Sequence, residues 1–287
     1  MIKHILYPIL GSSSVETGMV TAIQVAERFD GHIEAICCRR EFGEDLPLIA
    51  EEVNLDQFTE LARTFDREEK RRISLARKAF DAVRADKGVA YVQHPTSTDA
   101  RTASWENIVG DPYRAVAERA GAADLVVIGR TEEGVGALTR GVVETALFGS
   151  GAPVLLAAKT PRETLGEKIL IGWNRSASSA RAVRNALPLL RGAAQVRIIM
   201  VATGAKIGPE PARIANFLAL HGIAATVREI PPDYRKVSEV LLEEAVDMGA
   251  DLVVAGAFSH SRLREIVLGG VTRDILADGS VPVLMTH

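Results

Sequence analysis

The sequence contains few cysteines and few aromatic residues. Of its 287 residues, 2 are cysteines and 5% are aromatic. Cys37 and Cys38 are adjacent, and adjacent residues lie too close along the backbone for an unstrained disulfide. We predict two buried thiols at the end of a strand. A redox or metal role is the weaker alternative, because the 6 histidines show none of the short ligand spacings of a zinc site.

Long apolar runs and an excess of basic residues are also absent. No run approaches the ~18 residues that span a bilayer, and residues 1–10 lack the longer apolar core and cleavage site of a signal peptide. Lys and Arg number 34 against 37 Asp and Glu, which gives a net charge of -3. A nucleic-acid-binding surface usually needs a basic excess. These absences predict a cytoplasmic protein that contacts neither membranes nor nucleic acids.

The standard catalytic motifs are missing. The chain has no G-x4-G-K-[S/T] phosphate loop, no H-E-x-x-H zinc motif and no G-x-S-x-G nucleophile elbow. Gly134, Gly136 and Gly141 come near a dinucleotide-binding fingerprint, but they miss its spacing and follow a late strand rather than the first. The sequence therefore assigns no catalytic residue and leaves enzymatic activity open.

An internal repeat is the main positive signal. Residues 123–129, ADLVVIG, recur as residues 250–256, ADLVVAG, and two shorter matches occur in the same order. We interpret the chain as a tandem duplication, with domains at residues 1–160 and 165–287. The total length also suits two domains of ordinary size.

Each half alternates short apolar strands with amphipathic helices, which is typical of a parallel sheet covered by helices on both faces. We predict an α/β fold with two tandem doubly wound five-stranded sheets, flavodoxin-like or Rossmann-like. The predicted strands are residues 3–9, 32–38, 89–94, 124–128 and 153–157, then 168–173, 195–201, 225–229, 251–255 and 281–286. Residues 52–80 read as one long amphipathic helix, either a lid on its own sheet or a docking surface for a partner. Residues 95–111 are predicted to be irregular.

The most informative stretch is residues 251–272, which read as a strand, a polar loop and the start of a helix. Glycines at such a junction let a ligand approach the backbone closely, and the N–H groups of a helix start suit a phosphate. The spacing Gly256-x2-Ser259-x9-Gly269-Gly270 resembles the nucleotide-binding pattern of the universal stress protein family, G-x2-G-x9-G-[S/T]. Ser259 replaces the second glycine of that pattern, and Gly270 replaces its hydroxyl residue.

The resemblance implies a tandem universal stress protein that binds ATP, with or without magnesium, in its second domain. It places the nucleotide at Trp173, Asn174, Val201, Ala255, Gly256, Ser259, His260, Arg262, Gly269, Gly270, Val271 and Thr272. Asn174 replaces the usual Asp of the family, so this side chain can form hydrogen bonds but cannot act as a general base. Trp173 is equally consistent with a buried aromatic residue. No metal ligand is assigned, since nothing directs Asp274 or Glu265 towards the loop.

The corresponding positions of the first half suit a nucleotide poorly. Leu10 stands where the ribose-binding acid is expected, and Glu132 brings a negative charge to the phosphate loop. We therefore predict that the first half has lost its ligand. The resulting interpretation is a stress-response protein that is regulatory rather than strongly catalytic. The alternatives are a slow ATPase or nucleotidyl transferase in the same crevice, and a structural or interaction protein without a ligand.

The resemblance also implies how the two halves associate. Homodimers of the family pair through their last strands, which are residues 153–157 and 282–285 here. Apolar edge strands favour pairing, and a covalent tandem makes that pairing intramolecular. We expect a pseudo-dimer within the chain, and dimerisation of the whole tandem is left open.

Overall fold

The computed structural model describes seven segments of the chain, and within them it forms eleven strands and eight α-helices. The described residues are 1–42, 55–95, 100–131, 134–201, 210–231, 235–257 and 270–287, without the side chains of Leu55, Val271 and Thr272. The first half contains β1 (His4–Ile9), α1 (Val15–Phe29), β2 (His32–Arg39), α2 (Leu55–Asp86), β3 (Ala90–Tyr91), β4 (Thr102–Val109), α3 (Pro112–Ala120), β5 (Leu125–Ile128), α4 (Ala137–Thr145) and β6 (Val154–Leu156). The second half contains β7 (Lys168–Gly172), α5 (Ala177–Leu190), β8 (Gln195–Val201), α6 (Pro211–Leu220), β9 (Thr226–Ile230), α7 (Val237–Met248), β10 (Leu252–Gly256), α8 (Gly270–Asp278) and β11 (Val283–Thr286).

All of these strands belong to one sheet. Its order is β3-β4-β2-β1-β5-β6-β11-β10-β7-β8-β9. Within each half all pairs are parallel, as the apolar strand sequences predict. In the second half the chain winds from β7 outwards to β9 and then returns to β10 on the other side of β7. The prediction of doubly wound parallel sheets is confirmed, and the winding reverses between β7 and β10.

The two halves join through their last strands. β6 and β11 pair antiparallel, with Leu155 opposite Leu284 and Val154 opposite Met285. All four side chains are buried. One core cluster on each face of the sheet includes residues from both halves. The pairing of the last strands expected from the sequence is confirmed, and it merges two predicted sheets into one.

The first half has six strands rather than the predicted five. β4 lies in the stretch that was predicted to be irregular and pairs with β2 along its whole length. The predicted strand at residues 89–94 is reduced to the two-residue edge strand β3. The sequence prediction was wrong here because only the first part of β4 is buried, whereas Glu106 and Asn107 are exposed polar residues. These polar residues interrupt the apolar run on which the prediction depended.

The long helix predicted in the first half is confirmed. α2 has 32 residues and packs on its own sheet through Ala76 and Phe80, whose ring lies 5.3 Å from Trp105. Glu69 anchors the helix to the end of β2 by accepting a hydrogen bond from Arg40, and it accepts another from Arg72 of the same helix. Burial opposes the charge of Glu69, but these bonds hold its pKa at about 2. None of the described helices, α2 included, has the length and apolar character to cross a membrane.

The two cysteines are buried thiols at the end of β2, as predicted. Cys37 is fully buried, and Cys38 is 8% exposed. Burial raises the pKa of both thiols. Because the thiolate is the reactive form, these groups are suited to packing rather than to redox chemistry.

Candidate functional site

We use the word crevice for the space beyond the carboxyl ends of the neighbouring parallel strands β7 and β10. The winding of the second half reverses between these two strands, and open α/β sheets bind ligands at such a point. Two helix N-termini flank it, because α5 follows β7 and α8 ends the connection from β10. A β-carbon on Gly270, the first residue of α8, would have no neighbour within 4 Å in the described structure. Among the described residues, none therefore blocks the approach of an anion to the N–H groups at the start of α8.

Asn174 organises the start of α5. Its Oδ1 accepts hydrogen bonds from the Ser176 backbone nitrogen at 3.1 Å and from Ser176 Oγ at 2.6 Å. Ser176 is in turn the N-cap, and its Oγ accepts from the Ser179 backbone nitrogen at 3.1 Å. The side-chain oxygen of Asn174 thus already has a structural role.

Trp173 lies in the core. It is only 2% exposed and belongs to the cluster that also contains Ile171 and Val183. This burial favours the interpretation of a buried aromatic residue at the end of a strand over contact with a base. Val201 and Ala255, at the ends of β8 and β10, are half-buried.

Arg175 is a residue at the crevice that sequence reasoning missed. It has a left-handed backbone with φ of 61°, which is uncommon for a residue other than glycine. Its guanidinium forms an ion pair with Glu210, the N-cap of α6, and so joins the loops that follow β7 and β8. No sequence signal predicts it, because arginine has no preference for this conformation.

Gly256 is required for packing as well as for the loop. A β-carbon at this position would lie 2.4 Å from the Ser179 backbone nitrogen and 2.7 Å from Ser178 Oγ. The corresponding Gly129 of the first half meets the Ser14 carbonyl oxygen at 2.2 Å in the same way. The glycine that ends the ADLVV motif therefore lets the start of the first helix of each half lie close to the end of the motif strand. That strand is β5 in the first half and β10 in the second.

Much of the predicted phosphate loop lies outside the described residues. This applies to Ser259, His260, Arg262, Gly269 and Glu265, and to the side chains of Val271 and Thr272. Asp274 is described and points towards α7, where its Oδ2 accepts from Ser238 Oγ at 2.9 Å. This acid stabilises the packing of α8 instead of facing the loop. In the described part of the chain no group of three or more acidic, histidine or cysteine side chains is arranged to hold a metal ion.

The equivalent strand ends of the first half differ from those of the second half. Leu10, at the position where the family resemblance implies an acid, is half-buried and packs against the core. The connection from Gly129 reaches its helix already at Ala137, whereas the one from Gly256 continues to Gly270. The short turn Ser12–Ser14 after β1 packs against α2. Glu132 lies outside the described residues.

The fold defines a doubly wound α/β protein whose winding in the second half reverses between β7 and β10. Residues 212–287 match the model of the Universal stress protein family, and this match includes β10, the loop and α8. The chain is 33% identical over 128 residues to universal stress protein Slr1230 of Synechocystis, which covers 41% of each chain. It thus spans about two fifths of the length of that curated relative.

Solved structures resemble the chain over its whole length. A universal stress protein from Archaeoglobus fulgidus has a TM-score of 0.65 at 15% identity, covering 98% of this chain and 97% of that one. A putative universal stress protein from Pseudomonas aeruginosa has a TM-score of 0.54 at 18% identity, covering 99% and 93%. At these identities the similarity concerns the fold alone. A family domain is therefore present at residues 212–287, and the rest of the chain shares the fold of such proteins.

Proposed function

We propose that the protein is a tandem universal stress protein, with domains at residues 1–160 and 165–287, and that its second domain binds ATP between β7 and β10. The observation that carries this proposal is the start of α8. It lies at the reversal point of the sheet, begins with a glycine whose surroundings are open, and ends a loop with the family spacing. The matched family segment includes β10, the loop and α8, whereas β7 and α5 precede it.

We assign the phosphates and the adenosine of the nucleotide to different parts of the crevice. The phosphates lie at Gly269 and Gly270, where backbone N–H groups and the positive end of the helix dipole favour negative charge. Arg262 and His260 of the loop add cationic or hydrogen-bonding groups, and magnesium accompanies the phosphates. The adenosine lies towards Val201, Ala255 and Asn174.

The protein acts in the cytoplasm as a nucleotide-dependent regulator in the response to stress. A regulator, rather than an ATPase, is favoured by Asn174. The Asn174 amide cannot remove a proton from an attacking water. Its side-chain oxygen already accepts a hydrogen bond from Ser176, the N-cap of α5. A slow ATPase or transferase remains the second candidate, because a bound triphosphate is the substrate of either reaction.

A calorimetric titration of the purified protein with ATP and magnesium tests the proposal, combined with mass spectrometry of any ligand released on denaturation. We expect one site per chain and unchanged ATP after prolonged incubation. Accumulation of ADP would favour the enzymatic alternative. Two equivalent sites would contradict the assignment to the second half. The absence of binding would support a structural or interaction protein.

A further inference from the structure

Arg130 is a fully buried arginine in the connection that follows β5. Its exposed fraction is 0%. Its backbone is fixed to α1, because the Arg130 nitrogen donates to Thr17 Oγ1 at 3.2 Å and Thr17 Oγ1 donates to the Arg130 carbonyl oxygen at 2.7 Å. The start of this side chain is thus held by the first half of the protein.

The guanidinium of Arg130 reaches the second half. Its Nη1 donates to the carbonyl oxygen of Leu276, in the last turn of α8, at 2.8 Å. The last carbonyl groups of a helix lack partners within the helix, and a cation at this end also interacts favourably with the helix dipole. Burial lowers the pKa of Arg130 to about 10, so the group remains charged at neutral pH.

Gly279 provides the space for this contact. It follows α8 with a φ of 68°, the left-handed conformation that favours glycine at a helix end. A β-carbon there would lie 2.4 Å from Arg130 Nη1. The end of α8 and the arginine of the other half are therefore built to fit each other.

The repeat is asymmetric at this position. Gly129-Arg130 of the first half corresponds to Gly256-Ala257 of the second. Ala257 is buried, and its backbone nitrogen donates to the Thr286 carbonyl oxygen within its own half at 2.9 Å. An alanine has no side-chain donor for the helix of the other half. Only the first half therefore holds the partner helix by a side chain at this point.

We propose that Arg130 is a positioning residue through which the first half fixes α8, and with it the candidate phosphate-binding end at Gly270. The inference rests on the proposed function. It gives the first half, which is predicted to lack a ligand, a defined role in the affinity of the second. α8 is held at its end by Arg130 and in its middle by the bond from Ser238 to Asp274. Loss of the first contact removes the side-chain hydrogen bond from Arg130 to the end of α8, so that the position of the helix is less tightly fixed.

Arg28 supplies a matched control. It is also an arginine of the first half that crosses to the second, and its Nη1 donates to the carbonyl oxygens of Leu165 at 2.9 Å and Gly166 at 3.3 Å. These carbonyl groups precede β7 and are not part of α8. Arg28→Met therefore removes a comparable contact between the halves and leaves the support of α8 intact.

The test compares ATP affinity, measured by calorimetry, in the native protein and in the variants Arg130→Met, Arg130→Lys and Arg28→Met. We expect Arg130→Met to weaken binding about tenfold, within the range typical of coupled sites. Arg130→Lys keeps a cationic donor and should restore most of the affinity. Arg28→Met should lower the melting temperature and leave the affinity unchanged. Native affinity in Arg130→Met, equal losses in both methionine variants, or equal losses in the Lys and Met variants would overturn the inference.

Amide hydrogen exchange of the ligand-free proteins separates this inference from the proposed function. Arg130→Met should speed exchange in α8 more than in α5, and Arg28→Met should not show this selectivity. If the native protein binds no ATP, the proposed function fails while the exchange data still decide whether Arg130 fixes α8. If Arg130→Met does not fold, Arg130→Gln replaces it in both measurements, because its amide keeps one donor without the charge.

Discussion

Gly256, the last residue of β10, lies directly against Ser179 in the first turn of α5. A β-carbon on Gly256 would lie 2.4 Å from the Ser179 nitrogen. Both neighbours of that carbon, Ser178 and Ser179, are buried in the N-terminal turn that Ser176 caps. The end of the strand and the start of the helix are thus fixed against each other at the edge of the crevice.

We predict that Gly256→Ala lowers the free energy of unfolding by about 3 kcal/mol, at the upper end of typical overpacking costs, because the backbone of α5 cannot rotate away from the added methyl group. Urea unfolding measures the change. Gly270→Ala is the control, since the space around Gly270 is open, and it should cause no loss. Equal stability of Gly256→Ala and the native protein would show that α5 shifts to admit the methyl group.

Gly270→Asp should abolish nucleotide binding and leave the fold intact. An acid in the first turn of a helix is favourable in itself, but it repels a phosphate at the same N–H groups. ATP at about 100 times its dissociation constant adds about 2.7 kcal/mol to the stability of the native protein. The melting temperature of the variant should not change with ATP.

The matched control for this prediction is Gly136→Asp, at the N-cap of α4 in the first half. Gly136 also has open surroundings, so the substitution tests the first half without steric conflict. It should keep the full ATP-induced shift. Gly269→Asp, in the family pattern itself, should behave as Gly270→Asp does. If ATP still raises the melting temperature of both Gly270→Asp and Gly269→Asp, the nucleotide binds elsewhere.

His32 should make the protein sensitive to mild acid. Its Nδ1 lies 2.8 Å from Thr102 Oγ1 and its Nε2 lies 3.0 Å from Ser104 Oγ, which joins β2 to β4. Burial, with the nearby His4, lowers the pKa of His32 from 6.5 to about 4. A lowered histidine pKa means that stability is complete above pH 6.5 and is lost as the pH falls towards the folded value. The full loss is on the order of 3 kcal/mol.

His32→Gln tests this pH dependence, because the amide keeps hydrogen-bonding groups but does not titrate. Between pH 6.5 and about pH 5 the variant should lose less free energy of unfolding than the native protein does. The difference between the two proteins isolates His32 from His4, whose pKa is raised by its hydrogen bond to Glu34 and which acts in the opposite direction. Parallel curves for the two proteins would contradict the prediction.

The whole chain should unfold in a single step despite its internal repeat. The pairing of β6 with β11 and the two shared core clusters make the halves depend on each other. Scanning calorimetry should therefore give one peak whose calorimetric and van't Hoff enthalpies agree. Two separate peaks would show that each half is stable alone and that the contact between them contributes little.

The sequence predicted most of the strands because a strand that is buried on both faces has a continuous run of apolar residues. β8 is found at the predicted residues, Gln195–Val201, and the parallel pairing in the second half follows from the alternation of strands with helices. β4 escaped prediction because its exposed second part carries polar residues, so that its pattern resembles that of a loop. The reversal of the winding between β7 and β10 agrees with the predicted doubly wound class.

The sequence by itself determined the repeat, the α/β class and the loop with the family spacing, because each of these is encoded in a local pattern of residue types. Only the tertiary structure decided that Gly256 packs on Ser179, that the Asn174 oxygen accepts from the N-cap Ser176, and that Arg130 donates to Leu276 of the other half. The contacts of Gly256 and Arg130 join residues far apart in the chain. Their partners are set by how helices and strands pack, and no spacing along the sequence records that packing.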